Sequence, residues 1–283
     1  MRLDVALAAG LVVALMSYTL QVEAGGKLSF VRLSVLDTST IPPGDDTFSN
    51  EISTDGKFRF GSNSVESVYV STNGYISMGL TPTANAQNVE GALSVVAPYG
   101  ADIDTRVGGT VSYTRFHAPQ ELRVVSEFVE AQMDVDFLGT KMMVALWDNV
   151  AQYKGRASVN STFQAVLITD RYDSYAVFIY QCGGMGWGGA EIGWQASRQD
   201  VDEHQLSGRE SAQIGCEYST NSSSTVFRLE SCAKKEFRCD GGRCLSKSKQ
   251  CDGRTECSDK SDEQDCLDIT LIASGAAFGF VVL

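Results

Sequence analysis

The sequence is poor in the residues that catalytic and nucleic-acid-binding sites most often use. Its 283 residues include 2 histidines, His117 and His204, which lie far apart with no nucleophile motif around either one. Catalysis by a histidine base therefore has little basis here. Basic residues are outnumbered, with 23 Lys and Arg against 35 Asp and Glu. An acidic chain without a basic stripe is a poor match for nucleic acid or for direct adhesion to anionic lipid.

Two short motifs that resemble catalytic or phosphate-binding sequences lack their essential companions. Asp102 and Asp104 form an Asp-x-Asp pair, which by itself is typical of turn-stabilising aspartates at the end of a strand. The glycine-rich run from Gly183 to Gly189 lacks the Lys-Ser/Thr of a phosphate-binding loop, so we interpret it as an ordinary loop. We expect that the protein is not an enzyme.

Long apolar runs are missing from the body of the chain and occur only at its two ends. A basic n-region, the apolar run from Val5 to Met16 and a small-residue site ending at Ala24 predict a secretory signal peptide over residues 1–24. At the other end the chain is apolar from Ile269 to Leu283. A helix of that length covers about 22 Å, less than the ~30 Å hydrocarbon core of a bilayer. We interpret the tail, residues 267–283, as a GPI-attachment signal, with a truncated transmembrane segment or a packed tail as alternatives.

Most of the cysteines lie close together near the C-terminal end. Six of the 8 cysteines fall between Cys232 and Cys266, separated by six, four, six, five and eight residues. A segment this short cannot bury enough apolar surface to fold without disulfides or a metal, and dense disulfides require an oxidising compartment. Its last third is rich in carboxylates, which suit calcium better than zinc, and it contains neither a histidine nor a CxxC pair. Six cysteines permit about fifteen pairings, and the spacing alone does not choose among them.

This segment resembles an LDL-receptor class A module. The resemblance rests on the six cysteines, on Phe237 two residues before the second of them, on Cys-Asp-Gly at Cys251 and on Ser-Asp-Glu at Ser261. It implies three disulfides: Cys232–Cys244, Cys239–Cys257 and Cys251–Cys266. It also implies a calcium ion held by the side chains of Asp252, Glu256, Asp262 and Glu263 and by the carbonyl groups of Lys249 and Arg254. The family usually has Asp where Glu256 stands, so one ligand arm is longer here.

Related modules commonly hold a lysine of their ligand between an aromatic side chain and calcium-ordered carboxylates. In this chain the aromatic position is Lys249 and the middle acidic position is Arg254, and both charges would repel a lysine. The module as a whole is neutral, with eight basic and eight acidic residues. We therefore expect that the calcium ion is structural and that any partner at this spot is acidic or apolar.

Residues 25–231 have the pattern of a β-rich domain. Short runs of alternating β-branched and aromatic residues predict strands at 57–60, 67–71, 109–113, 142–147, 163–168 and 176–180. Asp55-Gly56, Asn73-Gly74 and Gly108-Gly109 are turn signals, and the Asn-Gly pair predicts a hairpin because both residues tolerate positive φ. One amphipathic helix is predicted between Glu121 and Met133, where apolar residues recur at three- and four-residue spacing.

A second resemblance, to nidogen-like (NIDO) extracellular domains, covers roughly Leu36 to Leu229. Seven segments in the expected order carry it: 44–46, 68–74, 96–99, 101–106, 108–111, 147–150 and 163–170. The family implies an extracellular matrix or cell-surface role, often cell–matrix adhesion, and no catalysis. Cys182 and Cys216 lie outside the module and are expected to pair in this compartment, and the sequons at Asn160 and Asn221 predict glycosylation.

The predicted fold class is mainly β, a sandwich-like domain with one amphipathic helix, followed by a small disulfide-rich calcium module. The predicted boundaries are a signal peptide at 1–24, a nidogen-like domain at 25–231, a class A module at 232–266 and a hydrophobic tail at 267–283. We predict a membrane-tethered adhesion or recognition protein whose acidic head binds a matrix or cell-surface protein or glycan. The alternative is an endocytic or scavenger-type receptor that captures ligands through the module, which the presence of a single module weakens.

Overall fold

The computed structural model describes residues 22–23, 27–31, 33, 38–61, 63–80, 94–116, 119–155, 160–170, 172–187, 189–196, 207–209, 222–229, 236–239, 244–264 and 266. Its helix α1 is Pro119–Met133, and its strands are β1 (Val22–Glu23), β2 (Lys27–Leu28), β3 (Ser39–Thr40), β4 (Ile52–Phe60), β5 (Asn63–Val70), β6 (Ile76–Met78), β7 (Val95–Gly100), β8 (Thr110–Phe116), β9 (Lys141–Ala151), β10 (Asn160–Thr169), β11 (Ser174–Met185), β12 (Ala190–Gln195), β13 (Ser207–Arg209), β14 (Ser222–Arg228), β15 (Glu236–Arg238) and β16 (Cys244–Ser246). The predicted mainly β fold with an amphipathic helix is confirmed.

Two six-stranded antiparallel sheets form a sandwich. The first has the strand order β14-β11-β10-β9-β8-β3 and the second has the order β13-β12-β7-β6-β5-β4. The faces that meet enclose the main core, to which β9 contributes Ala145 and β11 contributes Phe178. The preceding residues, Val144 and Val177, lie on the opposite face of the first sheet. This alternation is the two-residue period of a strand, and it buries both faces of the first sheet.

Helix α1 covers the outer face of the first sheet. Three of the apolar residues that predicted the helix, Leu122, Val125 and Val129, are buried there together with Val31 from the N-terminal segment. The buried Gln164 of β10 ties that segment down. Its Oε1 accepts the backbone N–H of Val31 at 2.8 Å and its Nε2 donates to the Val31 carbonyl oxygen at 2.8 Å. The described residues thus form three layers: helix α1, the first sheet and the second sheet.

Two local predictions need correction and a third is confirmed. Asp55-Gly56 is not a turn between strands, because it lies inside β4, where the pairing with β5 shifts register as at a β-bulge. The hairpin predicted at Asn73-Gly74 is confirmed, since β5 and β6 pair antiparallel on either side of it, and Gly74 has a positive φ, of 74°. A Cβ atom at Gly74 would lie 2.0 Å from the carbonyl oxygen of Tyr99, so the close approach also requires glycine.

The glycine-rich run is the second correction, since it is only in part a loop. Strand β11 continues through Gly183 to Met185. Trp187 in the following segment is buried, with its ring centroid 5.0 Å from that of Tyr99. The run therefore ends a strand and carries an aromatic side chain into the main core.

The cysteine-rich module contains a short hairpin, β15–β16, and two 3₁₀ turns at Lys247–Lys249 and Ser261–Glu263. It contacts the sandwich through an ion pair between Arg59 Nη2 and Glu236 Oε2 at 3.6 Å. Across the described ranges no helix is long and apolar enough to cross a membrane. The predicted C-terminal tail and most of the predicted signal peptide lie outside those ranges.

Candidate metal centre

The structure places the six predicted calcium-binding residues on two adjacent loops of the cysteine-rich module. Lys249 ends the first 3₁₀ turn, Asp262 and Glu263 belong to the second, and Asp252, Arg254 and Glu256 lie between them. The disulfides Cys239–Cys257 and Cys251–Cys266 join these loops to the rest of the module, with Cα–Cα distances of 5.7 and 5.6 Å. Both pairings are those that the class A resemblance implies.

Two further cysteines are also oxidised. Cys182 and Cys244 are each disulfide-bonded. The partners predicted for them, Cys216 and Cys232, lie outside the described residues, so these two pairings stay predictions.

Asp262 is the most deeply buried of the predicted ligands. Its side chain has no solvent exposure, and its Oδ2 accepts the backbone N–H groups of Glu256 at 2.6 Å and Cys257 at 3.1 Å. Its Oδ1 is buried and has no hydrogen-bond partner among the described residues. A buried carboxylate oxygen without a partner is costly, so this atom is well suited to a cation.

Glu263 and Asp252 connect the two loops through the backbone. The two carboxylate oxygens of Glu263 accept the N–H groups of Asp252 at 3.0 Å and Gly253 at 3.1 Å. Asp252 Oδ1 accepts the N–H of Arg254 at 3.0 Å. These bonds hold the loops in place, and they engage both oxygens of one predicted ligand with backbone donors.

Lys249 makes a contact that the sequence pattern did not predict. Its Nζ lies 3.0 Å from Glu256 Oε1 and 3.1 Å from Asp252 Oδ2, so one ammonium group bridges two of the predicted calcium ligands. The hydrogen bonds that Lys249 donates to Glu256 and Asp252 raise the pKa of Lys249, and the bond that Asp252 accepts lowers the pKa of Asp252. The lysine is therefore an internal partner of the carboxylates.

These contacts fit a calcium site. Asp252 and Glu256 already converge on one cation, and Asp262 offers a buried oxygen that has no hydrogen-bond donor among the described residues. All the side-chain ligand atoms are hard oxygens of the kind that calcium prefers. With calcium bound, the side chains of Asp252, Glu256, Asp262 and Glu263 and the carbonyls of Lys249 and Arg254 would hold it. The ion would supply positive charge that neutralises the loops and cross-links them.

The predicted glycosylation sites differ in what the structure describes. Asn160 begins β10 and is half-buried, and the other two sequon residues are engaged: Ser161 Oγ accepts the N–H of Gly186 at 3.2 Å and Thr162 Oγ1 accepts the N–H of Asn149 at 2.9 Å. Asn221, His117 and His204 lie outside the described residues. Glycosylation at both sites stays a prediction.

A second polar centre, absent from the predicted sites, lies in the sandwich around the buried Asn73. Its Oδ1 accepts the backbone N–H of Ile103 at 3.0 Å, and its Nδ2 donates to Asp46 Oδ1 at 2.7 Å. One amide therefore joins three of the nidogen-like segments, 44–46, 68–74 and 101–106. The segments are distant in sequence, so only the tertiary structure reveals the network.

The Asp-x-Asp pair forms part of this centre. Arg106 donates to Asp104 through Nε at 2.8 Å and Nη2 at 2.7 Å, and its Nη2 also lies 3.0 Å from Asp45 Oδ2. Hydrogen bonding to Arg106 holds the pKa of Asp104 below its ordinary value. Asp104 Oδ1 also accepts the backbone N–H of Arg106 at 2.9 Å, so this aspartate stabilises a turn, as the sequence interpretation expected, and in addition forms an ion pair with Arg106.

An acidic corner, defined by Asp45, Asp46 and Asp102, adjoins that ion pair. Their carboxylate oxygens lie within 4.8 Å of one another, and no other such group of three occurs in the described part of the chain. Burial raises the pKa of Asp45 and of Asp102, and the neighbouring aspartates raise both further. The described carboxylates of the cysteine-rich module do not form a group of three within that distance. At neutral pH the acidic corner carries repulsion that Arg106 relieves only in part.

Replacing Asp102 by asparagine should therefore stabilise the fold. A carboxyl group whose pKa is raised in the folded state stabilises the fold at pH values below its unfolded pKa of 3.8. That contribution to stability is lost as the pH rises through the pKa of the folded state. At pH 7 in EDTA, urea unfolding should show a gain of about 0.5 kcal/mol, because the site is exposed and screened. The gain should shrink towards pH 4. Asp136→Asn, which removes an exposed charge elsewhere, is the control, and an equal gain from it would contradict the prediction.

Comparison with known proteins supports both resemblances. The family model of the nidogen-like domain matches residues 66–244, and that of the low-density lipoprotein receptor domain class A matches residues 230–266. Nidogen-1 of Mus musculus is 34% identical over 153 residues, covering 50% of this chain and 12% of that protein. Alpha-tectorin of Gallus gallus is 30% identical over 174 residues, covering 59% of this chain and 8% of that protein.

A shorter match covers the module. Atrial natriuretic peptide-converting enzyme of Rattus norvegicus is 45% identical over 38 residues, which are 13% of this chain and 3% of that protein. The chain spans about an eighth or less of Mus musculus nidogen-1 and Gallus gallus alpha-tectorin, from the 12% and 8% coverage. No solved structure matches it.

Proposed function

Because the chain belongs to the nidogen-like domain family and carries a class A module, we propose that it is a non-enzymatic extracellular adhesion and recognition protein. In this proposal the sandwich domain, predicted at 25–231, is the recognition surface for a matrix or cell-surface protein or glycan. The module, predicted at 232–266, is a calcium-stabilised stalk. The hydrophobic tail tethers the protein to the membrane.

The observation that carries the proposal is the internal pairing of Lys249. Ligand capture by a class A module needs carboxylates that are open to a lysine of the ligand, as the resemblance implies. Here Asp252 and Glu256 both contact Lys249 of the same chain. Whether that ammonium contacts the carboxylates or has been displaced into the solvent beside them, its positive charge repels a ligand lysine. The module is therefore a poor capture surface, and the role of recognition falls to the larger, acidic domain.

The family motifs in the sandwich support a structural role for its framework. Asn73 joins three of them by hydrogen bonds, and Trp147 donates through Nε1 to the carbonyl oxygen of Ser71 at 2.9 Å. Residues engaged in this way build a rigid scaffold between the two sheets. Binding would then depend on the exposed surface that the scaffold presents.

An adhesion assay with module variants separates the proposal from the scavenger-receptor alternative. Surfaces coated with the full-length chain should retain cells or decellularised matrix better than albumin-coated surfaces. The double variant Asp252→Asn/Glu263→Gln, which removes two predicted calcium ligands, should keep most of this adhesion because recognition lies in the sandwich. Adhesion that disappears in the double variant, or micromolar calcium-dependent binding of a lysine-rich peptide to the wild type, would favour ligand capture by the module.

The tether is tested separately on cells that express the full chain. Release by a phosphatidylinositol-specific phospholipase is the result expected of a GPI anchor. Retention at the surface after that treatment would favour a transmembrane segment, and recovery in the medium without treatment would contradict the tether.

A further inference from the structure

We propose that Lys249 is a built-in competitor of the calcium ion, whose ammonium group pairs with Asp252 and Glu256 in the calcium-free protein and must leave before the ion binds. The inference rests on the calcium site of the proposed function and adds a regulatory residue to it. In this role Lys249 weakens calcium binding by the module and helps to hold the two loops together when calcium is absent.

The position of Lys249 is fixed by the backbone around it. The residue ends the 3₁₀ turn at Lys247–Lys249, where the N–H of Gln250 donates to the Lys247 carbonyl oxygen at 3.2 Å. Two residues later, Cys251 is bonded to Cys266, and its N–H donates to the Asp262 carbonyl oxygen at 2.8 Å. The turn is therefore anchored beside the second loop, and Lys249 reaches Asp252 and Glu256, which lie between the two turns.

The same residue has two opposing roles toward the ion. The class A resemblance assigns the carbonyl group of Lys249 to the calcium ligands. Its side chain, however, places a positive charge 3.0 Å from Glu256 Oε1 and 3.1 Å from Asp252 Oδ2. A divalent ion and an ammonium group cannot both occupy the point where these two oxygens meet, because they have charges of the same sign.

The ion pairs are weak enough to be displaced. The side chain of Lys249 is 39% exposed, and ion pairs at that exposure contribute little individually and are screened by salt. The ammonium is a compact charge on a flexible stem, so it can swing into solvent without a change in the backbone. The lysine therefore shifts the calcium concentration that fills the site, and does not block the site.

The contact also changes the calcium-free state. Without a cation the carboxylates of Asp252 and Glu256 would repel each other at the junction of the two loops. Lys249 neutralises part of that charge, so the module should lose less stability on calcium removal than it would with an uncharged residue at this position.

The test compares full-length wild-type chain with three variants by calorimetric titration with calcium chloride and by thermal unfolding in EDTA. Lys249→Met should bind calcium about tenfold more tightly, because site charge is what tunes such affinities, and it should unfold at a lower temperature in EDTA. Lys249→Arg keeps the charge and should resemble the wild type. Lys247→Met removes an exposed charge from the same turn, one that pairs with no carboxylate among the described residues, and should change the affinity by less than about twofold.

The outcomes distinguish this inference from the calcium site on which it rests. Equal calcium affinity of the wild type and Lys249→Met, or weaker binding by Lys249→Met, would overturn the competitor role while leaving the calcium site in place. An equal gain from Lys247→Met would show a general charge effect and would overturn it as well. Absence of calcium binding in every protein would overturn the calcium site and the inference together.

Discussion

Replacing Asp262 by asparagine should weaken calcium binding by the full-length chain at least about 100-fold, because affinity in such sites depends on the number of charged ligands. The carboxylate is fully buried, and its Oδ2 already accepts two backbone N–H groups. Asparagine can keep that acceptor, but its NH₂ group then takes the place of Oδ1. A hydrogen-bond donor would face the cation where the wild type offers a buried oxygen.

Calorimetric titration and thermal unfolding with and without calcium measure this effect. The wild type should unfold at a higher temperature when calcium is added, and Asp262→Asn should lose most of that shift. Asp259→Asn is the matched control, since it removes the same charge from the neighbouring loop at a residue outside the predicted ligand set. Calcium affinity of Asp262→Asn equal to that of the wild type would show that the module does not use this residue and would remove the calcium site as proposed.

Replacing Asn73 by alanine should lower the free energy of unfolding by about 3 kcal/mol, the sum expected for one buried donor left unsatisfied and one charge-assisted bond lost. In the wild type Asn73 accepts from the Ile103 N–H and donates to Asp46. Alanine leaves the Ile103 N–H unsatisfied and removes the donor that supports a carboxylate of the acidic corner. The loss falls where three segments of the sandwich meet, so we expect cooperative unfolding at lower denaturant concentration.

Urea unfolding at pH 7 under oxidising conditions measures this loss, with Asn50→Ala as the control, because that exposed amide should change stability by less than about 0.5 kcal/mol. Asn73→Asp gives a sharper test. Aspartate can still accept from Ile103, but it adds a negative charge beside Asp46 where the wild type has a donor. Its stability should recover on acidification, whereas that of Asn73→Ala should not. Equal stability of Asn73→Ala and Asn50→Ala would contradict the role given to this amide.

Periodic patterns in the sequence predicted the elements well. The helix appeared in the structure because Leu122, Val125 and Val129 repeat at helical spacing and bury one stripe. The strands β9, β10 and β11 were equally clear, since both of their faces are buried and their runs are apolar. Local patterns failed at Asp55-Gly56, because a bulge accommodates residues that usually make a turn.

The cysteine framework and the candidate ligands were also predictable, because the segment resembles a class A module and that resemblance implies both the pairings and the ligand set. By contrast, neither Asn73 nor the acidic corner could be inferred as a centre. Asp46 and Asp102 are far apart in sequence, and their proximity follows from the meeting of loops at one end of the sandwich.

The sequence by itself determined the compartment expected for this protein and its mainly β class, because these depend on composition and on periodicity along the chain. Its resemblance to a class A module implied the positions of the candidate calcium ligands. Only the tertiary structure decided how charges pair. From the sequence, Lys249 was a positive charge expected to repel a ligand's lysine. In the structure its ammonium lies between Asp252 and Glu256. The reason is physical: attraction between charges depends on distances in space, which are fixed by the turn and the disulfide that place this residue.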